Sequence, residues 1–231
     1  MTQPLIIAID GPAGAGKSTV ARMLARRLGL IHVDSGATYR AAALKVIESG
    51  IPLEDEKEIV RVVRATKIGY IPRQPHAQVL LDGADVSAKL RTAAVTHAAS
   101  VVSRLPAVRK KLVAVQRSLL MHPGVVMEGR DIGTVVFPRA ALKIFLKADP
   151  KERARRRVQQ DGEQGCRSTL RSTLAEISSR DQRDAGRQAS PLAVADDAAI
   201  IDTTRLSAEE VVERILKLAR KKKLVAPEQT A

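Results

Sequence analysis

The apolar run Leu5-Ile6-Ile7-Ala8-Ile9 ends in Asp10, and Gly11-Pro12-Ala13-Gly14-Ala15-Gly16-Lys17-Ser18-Thr19 follows at once. This junction constrains the chain more than any other feature. A short apolar run bounded by glycine reads as a buried strand, and Val20, Leu24 and Leu28 then recur at helical spacing. The residues between satisfy G-x-x-x-x-G-K-[ST]. Glycines let successive backbone N–H groups converge on phosphate oxygens, and the loop feeds a helix N-terminus whose dipole favours anions. Lys17 can reach the β- and γ-phosphates, and the Ser18 hydroxyl can ligate Mg²⁺. A glycine-rich turn with a surface lysine is the bland alternative, and the strand–loop–helix context argues against it. Residues Gly11 through Thr19 are therefore expected to cradle a nucleoside triphosphate.

Length and composition narrow the rest. With 231 residues and 45% hydrophobic content, the chain can build one α/β domain with small insertions. Aromatic residues make up only 2%, without Trp, so Val, Ile, Leu and Ala must fill the core. No apolar run approaches the roughly 18 residues that span a bilayer. Met1-Thr2-Gln3-Pro4 lacks the character of a signal peptide. The one cysteine, Cys166, cannot close an internal disulfide and fits a reducing cytoplasm. His32, His76, His97 and His122 are scattered without metal-ligand spacing. A cytoplasmic protein without a structural metal is expected.

Turn and cap signals organise the chain. Gly29 suits a helix C-cap, and Ser35 suits the N-cap of a helix running to about Glu48. A charged helix follows over about Asp55 to Arg64. Between 67 and 86 the rhythm breaks: Pro72 and Pro75 flank a turn, Ala77 to Leu81 reads as strand, and Asp82-Gly83 is a hairpin signal. Two helices, near Thr92–Ser103 and Ala107–Met121, divide at Pro106. Val108, Leu112, Val115 and Leu119 form the apolar stripe of the second, and Arg109 falls off it toward the exposed face. Asp149-Pro150 suits the start of another helix, and Ser207 with Glu210 forms a capping box for the last one.

Strands are expected near residues 5–10, 30–33, 124–128, 141–147 and 198–202. Their alternation with helices predicts an α/β fold, a five-stranded parallel sheet with helices on both faces. The core is expected over 1–66, 91–150 and 190–224. An inserted antiparallel meander would occupy 67–90, a helical lid 151–189, and a solvated tail 225–231. Ligands of open α/β sheets bind at the carboxyl edge. Asp34 to Arg40, Glu128 to Asp131, and Asp202-Thr203-Thr204 all fall at strand ends.

The charge is lopsided: 39 Lys and Arg against 25 Asp and Glu, a net +14. A nucleic-acid partner, a site for small and highly charged phosphates, and simple solubility are the three readings. Two Tyr and two Phe offer few platforms for stacking bases, which argues against the first. A hydroxyl acceptor needs a base to take its proton, whereas a phosphate acceptor is already ionised and needs cations to hold it. Arg40, Arg109, Arg130 and nine arginines between 153 and 187 point to a phosphate acceptor. Arg180, Asp184 and Arg187 share one helix face at i, i+4 and i+7, as a closing lid requires. An ordinary surface ladder of ion pairs is the alternative.

Several separate segments carry a family resemblance. They are Ile9 to Ser18, Asp34-Ser35-Gly36-Ala37-Thr38-Tyr39-Arg40, Glu128 to Pro138, Lys143-Ile144-Phe145-Leu146 and Arg180-Asp181-Gln182-Arg183-Asp184. Together they resemble the bacterial cytidylate kinases over nearly the whole chain except the tail. The resemblance implies a P-loop kinase core that moves the γ-phosphoryl of ATP to CMP or dCMP, with Mg²⁺ required and Ser18 as its ligand. It implies small nucleotides as partners, with no nucleic acid and no membrane, and nothing in the chain demands more than a monomer. By motif match, Ser35, Arg40, Arg130 and Arg187 would hold the acceptor's phosphate side, while Arg180 and Asp184 would approach the sugar. Ser100, Arg109 and Asp131 would recognise cytosine, and Ser100 rests on the resemblance alone. Lys17, Arg180 and Arg187 would be catalytic, with Arg153 or Arg157 near the transferring phosphoryl. A carboxylate such as Asp131 can accept a hydrogen bond from the exocyclic amine of cytosine, where uracil offers a carbonyl. An ion pair of Asp131 with Arg109 or Arg130 is the competing role, and Asp10 receives none. The remaining alternatives are a kinase for UMP, AMP or a sugar acid, and a nucleic-acid-binding switch.

Overall fold

The strand that leads into the glycine loop lies at the middle of the sheet, buried on both sides by its neighbours. The computed structural model describes residues 4–71, 77–119, 123–163, 167–187 and 189–226. In chain order, β1 (Leu5–Asp10) passes through the loop into α1 (Lys17–Leu28), β2 (Ile31–Asp34), α2 (Ser35–Glu48) and α3 (Glu56–Ala65). Three short strands follow, β3 (Ile68–Ile71), β4 (Gln78–Leu81) and β5 (Ala84–Asp85). A 3₁₀ turn, Ser87–Arg91, precedes α4 (Ala93–Val102) and α5 (Pro106–Arg117). Next come β6 (Gly124–Gly129), a π-helical turn at Ile132–Val136 and β7 (Leu142–Lys147). The order then runs α6 (Pro150–Glu163), α7 (Leu170–Ala185), β8 (Ala199–Asp202) and α8 (Ala208–Lys221).

The main sheet has the order β2-β6-β1-β7-β8, with every pair parallel. The central strand β1 is a continuous apolar run up to Asp10 because helices cover both faces, whereas β7 carries Lys143, which pairs with Asp197. On one face Ile7, Ile9, Ile144 and Leu146 pack with Val20 and Leu24 of α1 and with Val212 and Ile215 of α8. On the other, Ala8, Val33 and Met127 meet Ile132, Val136 and Phe137. A second core, built from α2 to α5 and the meander, contains Ala42, Ile59, Val79, Val102 and Leu112. The meander is a separate antiparallel sheet, β3-β4-β5. Asp82 and Gly83, with φ of 49° and 91°, make its two-residue hairpin turn.

Local signals act where they were expected. Gly29 closes α1 in the left-handed region, Asp149 Oδ1 accepts from the Lys151 and Glu152 N–H groups, and Ser207 and Glu210 cap α8 reciprocally. Gly11 has φ 146°, and a Cβ there would stand 2.1 Å from the Leu146 carbonyl oxygen, so only glycine lets the loop turn against β7. Two expectations are corrected. Ser35 is the first residue of α2 and not its cap; Asp34 holds the cap position and spends its carboxylate on Arg40. Arg109 is buried, at 3% exposure, because the face opposite the apolar stripe forms the wall of a cleft. The expected turn at Pro72 and Pro75, the end of a helix at Met121, Cys166, and the tail from 227 on lie outside the described residues. Among the described residues, no helix is long and apolar enough to cross a membrane.

Leu24 is fully buried between the sheet and α8. Leu24→Ala is expected to cost about 2–5 kcal/mol of unfolding free energy, read from the denaturant midpoint. A loss below about 1 kcal/mol would show that α1 does not pack as described.

Candidate active site

A cleft of about 700 Å³ opens above the carboxyl edge of the main sheet. That volume falls within the range of small-ligand sites. Its floor is the loop after β1, one wall comes from α2, α4 and α5, and the other from α6 and α7. Nine arginines and Lys17 line it, against six carboxylates: Asp34, Glu128, Asp131, Glu163, Glu176 and Asp184. So unbalanced a lining is built for anions.

The loop end is held from several directions. Lys17 is buried and its Nζ donates to the Pro12 carbonyl at 2.7 Å. Burial first, and Arg130 second, push its ammonium down to about 7. The Ser18 hydroxyl donates to Glu128 Oε2 at 2.8 Å, and the other oxygen of Glu128 lies 3.0 Å from His32 Nε2. Oxygen donors at this strand end suit a hard cation such as Mg²⁺. Among the described residues no group of three His, Cys, Asp or Glu side chains could hold a metal ion.

Every residue expected to bind the acceptor reaches this cleft: Ser35, Arg40, Ser100, Arg109, Arg130, Asp131, Arg180, Asp184 and Arg187. Of the loop, Ala13, Gly14, Gly16, Lys17, Ser18 and Thr19 line it, while Gly11, Pro12 and Ala15 do not. Arg40 Nη2 donates to Asp34 Oδ2 at 2.6 Å. Burial would raise the Asp34 carboxyl, but the charge and hydrogen bond of Arg40, together with His32 and Arg91, outweigh it and lower it to about 2. Arg109 Nη2 donates to Asp131 Oδ2 at 2.5 Å, its Nη1 donates to the Ser103 carbonyl, and its guanidinium lies 5.2 Å from the centroid of the Tyr39 ring. The ion-pair role weighed for Asp131 is thus present, with Arg109 as partner.

The wall formed by α7 gathers around Asp184, a buried carboxylate. It accepts from Arg130 Nε at 2.9 Å and pairs with Arg187. Burial opposes its charge, yet Arg130 and Arg187 keep its carboxyl below the usual range. Arg180 lies beside Arg130; burial and that neighbour lower its guanidinium to about 10. Arg153 does not line the cleft. Its Nη1 donates to the Ala13 carbonyl at 3.0 Å and pairs with Asp181, whose Oδ1 accepts from the Ala13 N–H at 3.3 Å. Arg157 lines the cleft and pairs with Asp161 at 3.0 Å.

Sequence reasoning gave no role to Glu128, His32, Asp181 or Asp10. Glu128 and Asp10 carried a readable signal, each a polar residue closing an apolar strand at the carboxyl edge. Asp10 accepts from the Ile132 and Gly133 N–H groups at 2.8 and 2.7 Å. Burial raises its carboxyl to about 6, with the two backbone donors opposing.

A family model described as cytidylate kinase matches residues 7–221. A cytidylate kinase of Geobacillus kaustophilus is 48% identical over 223 residues, covering 96% of this chain and 99% of that protein. One of Caldanaerobacter subterraneus subsp. tengcongensis is 49% identical over 215 residues, covering 93% and 94%. A crystal structure of an uncharacterized protein from Eubacterium ventriosum superposes with a TM-score of 0.54 at 12% identity, covering 94% of this chain and 98% of that one. That likeness speaks for the fold alone.

Lys17 makes the cleft titratable. With its ammonium near 7, most molecules carry it neutral at pH 8. A polyphosphate replaces repulsion by attraction and returns it toward its ordinary value of about 10.4. Triphosphate binding at pH 8 is therefore expected to take up close to one proton at Lys17, and at pH 6 almost none. Calorimetry in two buffers of different ionisation enthalpy reads this number; no uptake at pH 8 would show Lys17 already charged in the free protein.

Proposed function

The chain belongs to the cytidylate kinase family, and from that premise we propose which of its residues perform the reaction and how. It transfers the γ-phosphoryl of ATP to CMP or dCMP, giving ADP and CDP or dCDP. An oxygen of the acceptor phosphate attacks the γ-phosphorus, and the bond from that phosphorus to the bridging oxygen of ADP breaks. The second pKa of a phosphate monoester is near 6, so the nucleophile is ionised at neutral pH and no side chain has to accept a proton. The residues' task is to hold two polyanions in line, and the cation-rich cleft is the observation that carries this reading.

In this proposal the N–H groups of Gly14, Gly16, Lys17 and Ser18 cradle the triphosphate, and Lys17 follows the charge from γ- to β-phosphate as the bond breaks. Arg40, Arg130 and Arg187, with Ser35, receive the acceptor phosphate. Arg180, whose cationic form burial and Arg130 weaken, bridges donor and acceptor. Asp184 turns from Arg130 and Arg187 toward the sugar hydroxyls. Ser18 and Glu128 would hold Mg²⁺, which would supply positive charge against that of the triphosphate. Helices α6 and α7 close over the cleft and exclude water, the Arg153–Asp181 pair between them gripping Ala13.

Ser100, Arg109 and Asp131 read the base. Asp131 offers an acceptor and Arg109 a donor side by side, which complements the amine of cytosine beside its acceptor ring nitrogen and carbonyl. Uracil presents a carbonyl and an N–H there, so both contacts would reverse. Small nucleotides as the only partners, a monomer, a cytoplasmic location and a place in pyrimidine nucleotide metabolism complete the proposal.

An acceptor panel with ATP and Mg²⁺ tests the reading: CMP and dCMP are expected to be converted, with AMP and gluconate untouched. Turnover of AMP or gluconate without CMP would overturn it. Asp131→Ala is expected to lower kcat/KM for CMP at least about tenfold more than for UMP, a discrimination of about 1–3 kcal/mol. Equal losses on both acceptors would show that Asp131 does not read the base.

A further inference from the structure

Asp131 occupies the N-cap position of the π-helical turn Ile132–Val136. An aspartate there ordinarily folds its carboxylate back onto the first free N–H groups of the turn. Here it makes no such bond. The Ile132 N–H donates to Asp10 Oδ1 at 2.8 Å and the Gly133 N–H to Asp10 Oδ2 at 2.7 Å. Asp10 is 5% exposed, so little water competes for those donors. Relieved of capping, the Asp131 carboxylate extends to Arg109 in the cleft wall.

Strand register makes the substitution possible. Asp10 stands opposite Gly129, so its side chain meets the chain just after β6 has ended and turned. Gly133 packs close: a Cβ there would lie 3.4 Å from Asp10 Oδ2 and 3.1 Å from Lys143 Cδ. Asp10 also immediately precedes Gly11, so the donor loop and the base-reading turn share one joint.

We propose that Asp10 is a positioning residue for acceptor recognition: it caps the Ile132–Val136 turn from a neighbouring strand and thereby frees Asp131 to face the cytosine. This rests on the reading of Asp131 as the base reader. Without the Asp10 carboxylate, two buried donors lose their partner, and Asp131 is the residue placed to satisfy them. Turning back would leave Arg109 unpaired in the wall and the cytosine amine without an acceptor.

Asp10→Asn keeps the shape but sets an NH₂ group against one of the two N–H donors. Its ratio of kcat/KM for CMP over UMP is expected to fall about tenfold and its KM for CMP to rise, while KM for ATP changes less than about twofold. Gly133→Ala presses on the same joint from the other side; it is expected to lower the CMP over UMP ratio as well and serves if Asp10→Asn does not fold. Asp131→Ala, measured in parallel, separates the two ideas. If Asp131→Ala is selective against CMP while the joint variants that fold lose CMP and UMP equally, Asp10 is merely structural and the inference is overturned. If Asp131→Ala itself lacks selectivity, the base reading falls and this inference falls with it.

Discussion

Repulsion among the cations gathered in one cleft is the constraint on which this site depends. Two like charges 4–6 Å apart cost on the order of 3–4 kcal/mol at the effective dielectric of a protein surface. The cleft lowers that cost by lending its few carboxylates to chosen arginines. Asp34 holds Arg40, Asp131 holds Arg109, and Asp184 serves Arg130 and Arg187 at once. What those pairs do not cover shows in Lys17 and Arg180, whose cationic forms are weakened by burial and by Arg130. Part of the net charge of +14 is thus a local property of one cleft.

The parallel sheet assembles the polar ends that meet there. Ile9 and Asp34 both stand in register with Glu128, and Asp10 with Gly129. Three strand ends therefore reach one edge at one height. Ser18, on the first turn of α1, finds Glu128, and the turn after β6 finds Asp10. On the far side Arg153 and Asp181 come from two different helices to the same residue, Ala13, so α6 and α7 are both tied to the loop.

Features written in contiguous residues were legible. The strand–loop–helix start, the five parallel strands, the Asp82-Gly83 hairpin and the caps of α6 and α8 each follow from a few adjacent side chains. The family's motifs brought Ser35, Arg40, Ser100, Arg109, Arg130, Asp131, Arg180, Asp184 and Arg187 to attention, and the fold sets all of them around one cleft. Arg109 was misread because an apolar stripe reports only which side of a helix meets the core. It says nothing of a second, polar environment on the opposite side. The π-helical turn had no signal: Ile132, Val135 and Val136 are β-branched residues that a strand would suit equally.

By itself, the amino-acid order determined the phosphate loop and the α/β alternation, since glycine φ values, cap bonds and hydrophobic periods act within a few residues of one another. Tertiary structure alone decided which carboxylate serves which partner. The Asp10 bonds to Ile132 and Gly133 span more than a hundred positions, and the Arg109–Asp131 pair joins α5 to the turn after β6. Such assignments depend on strand register and helix placement, and no local propensity carries that information.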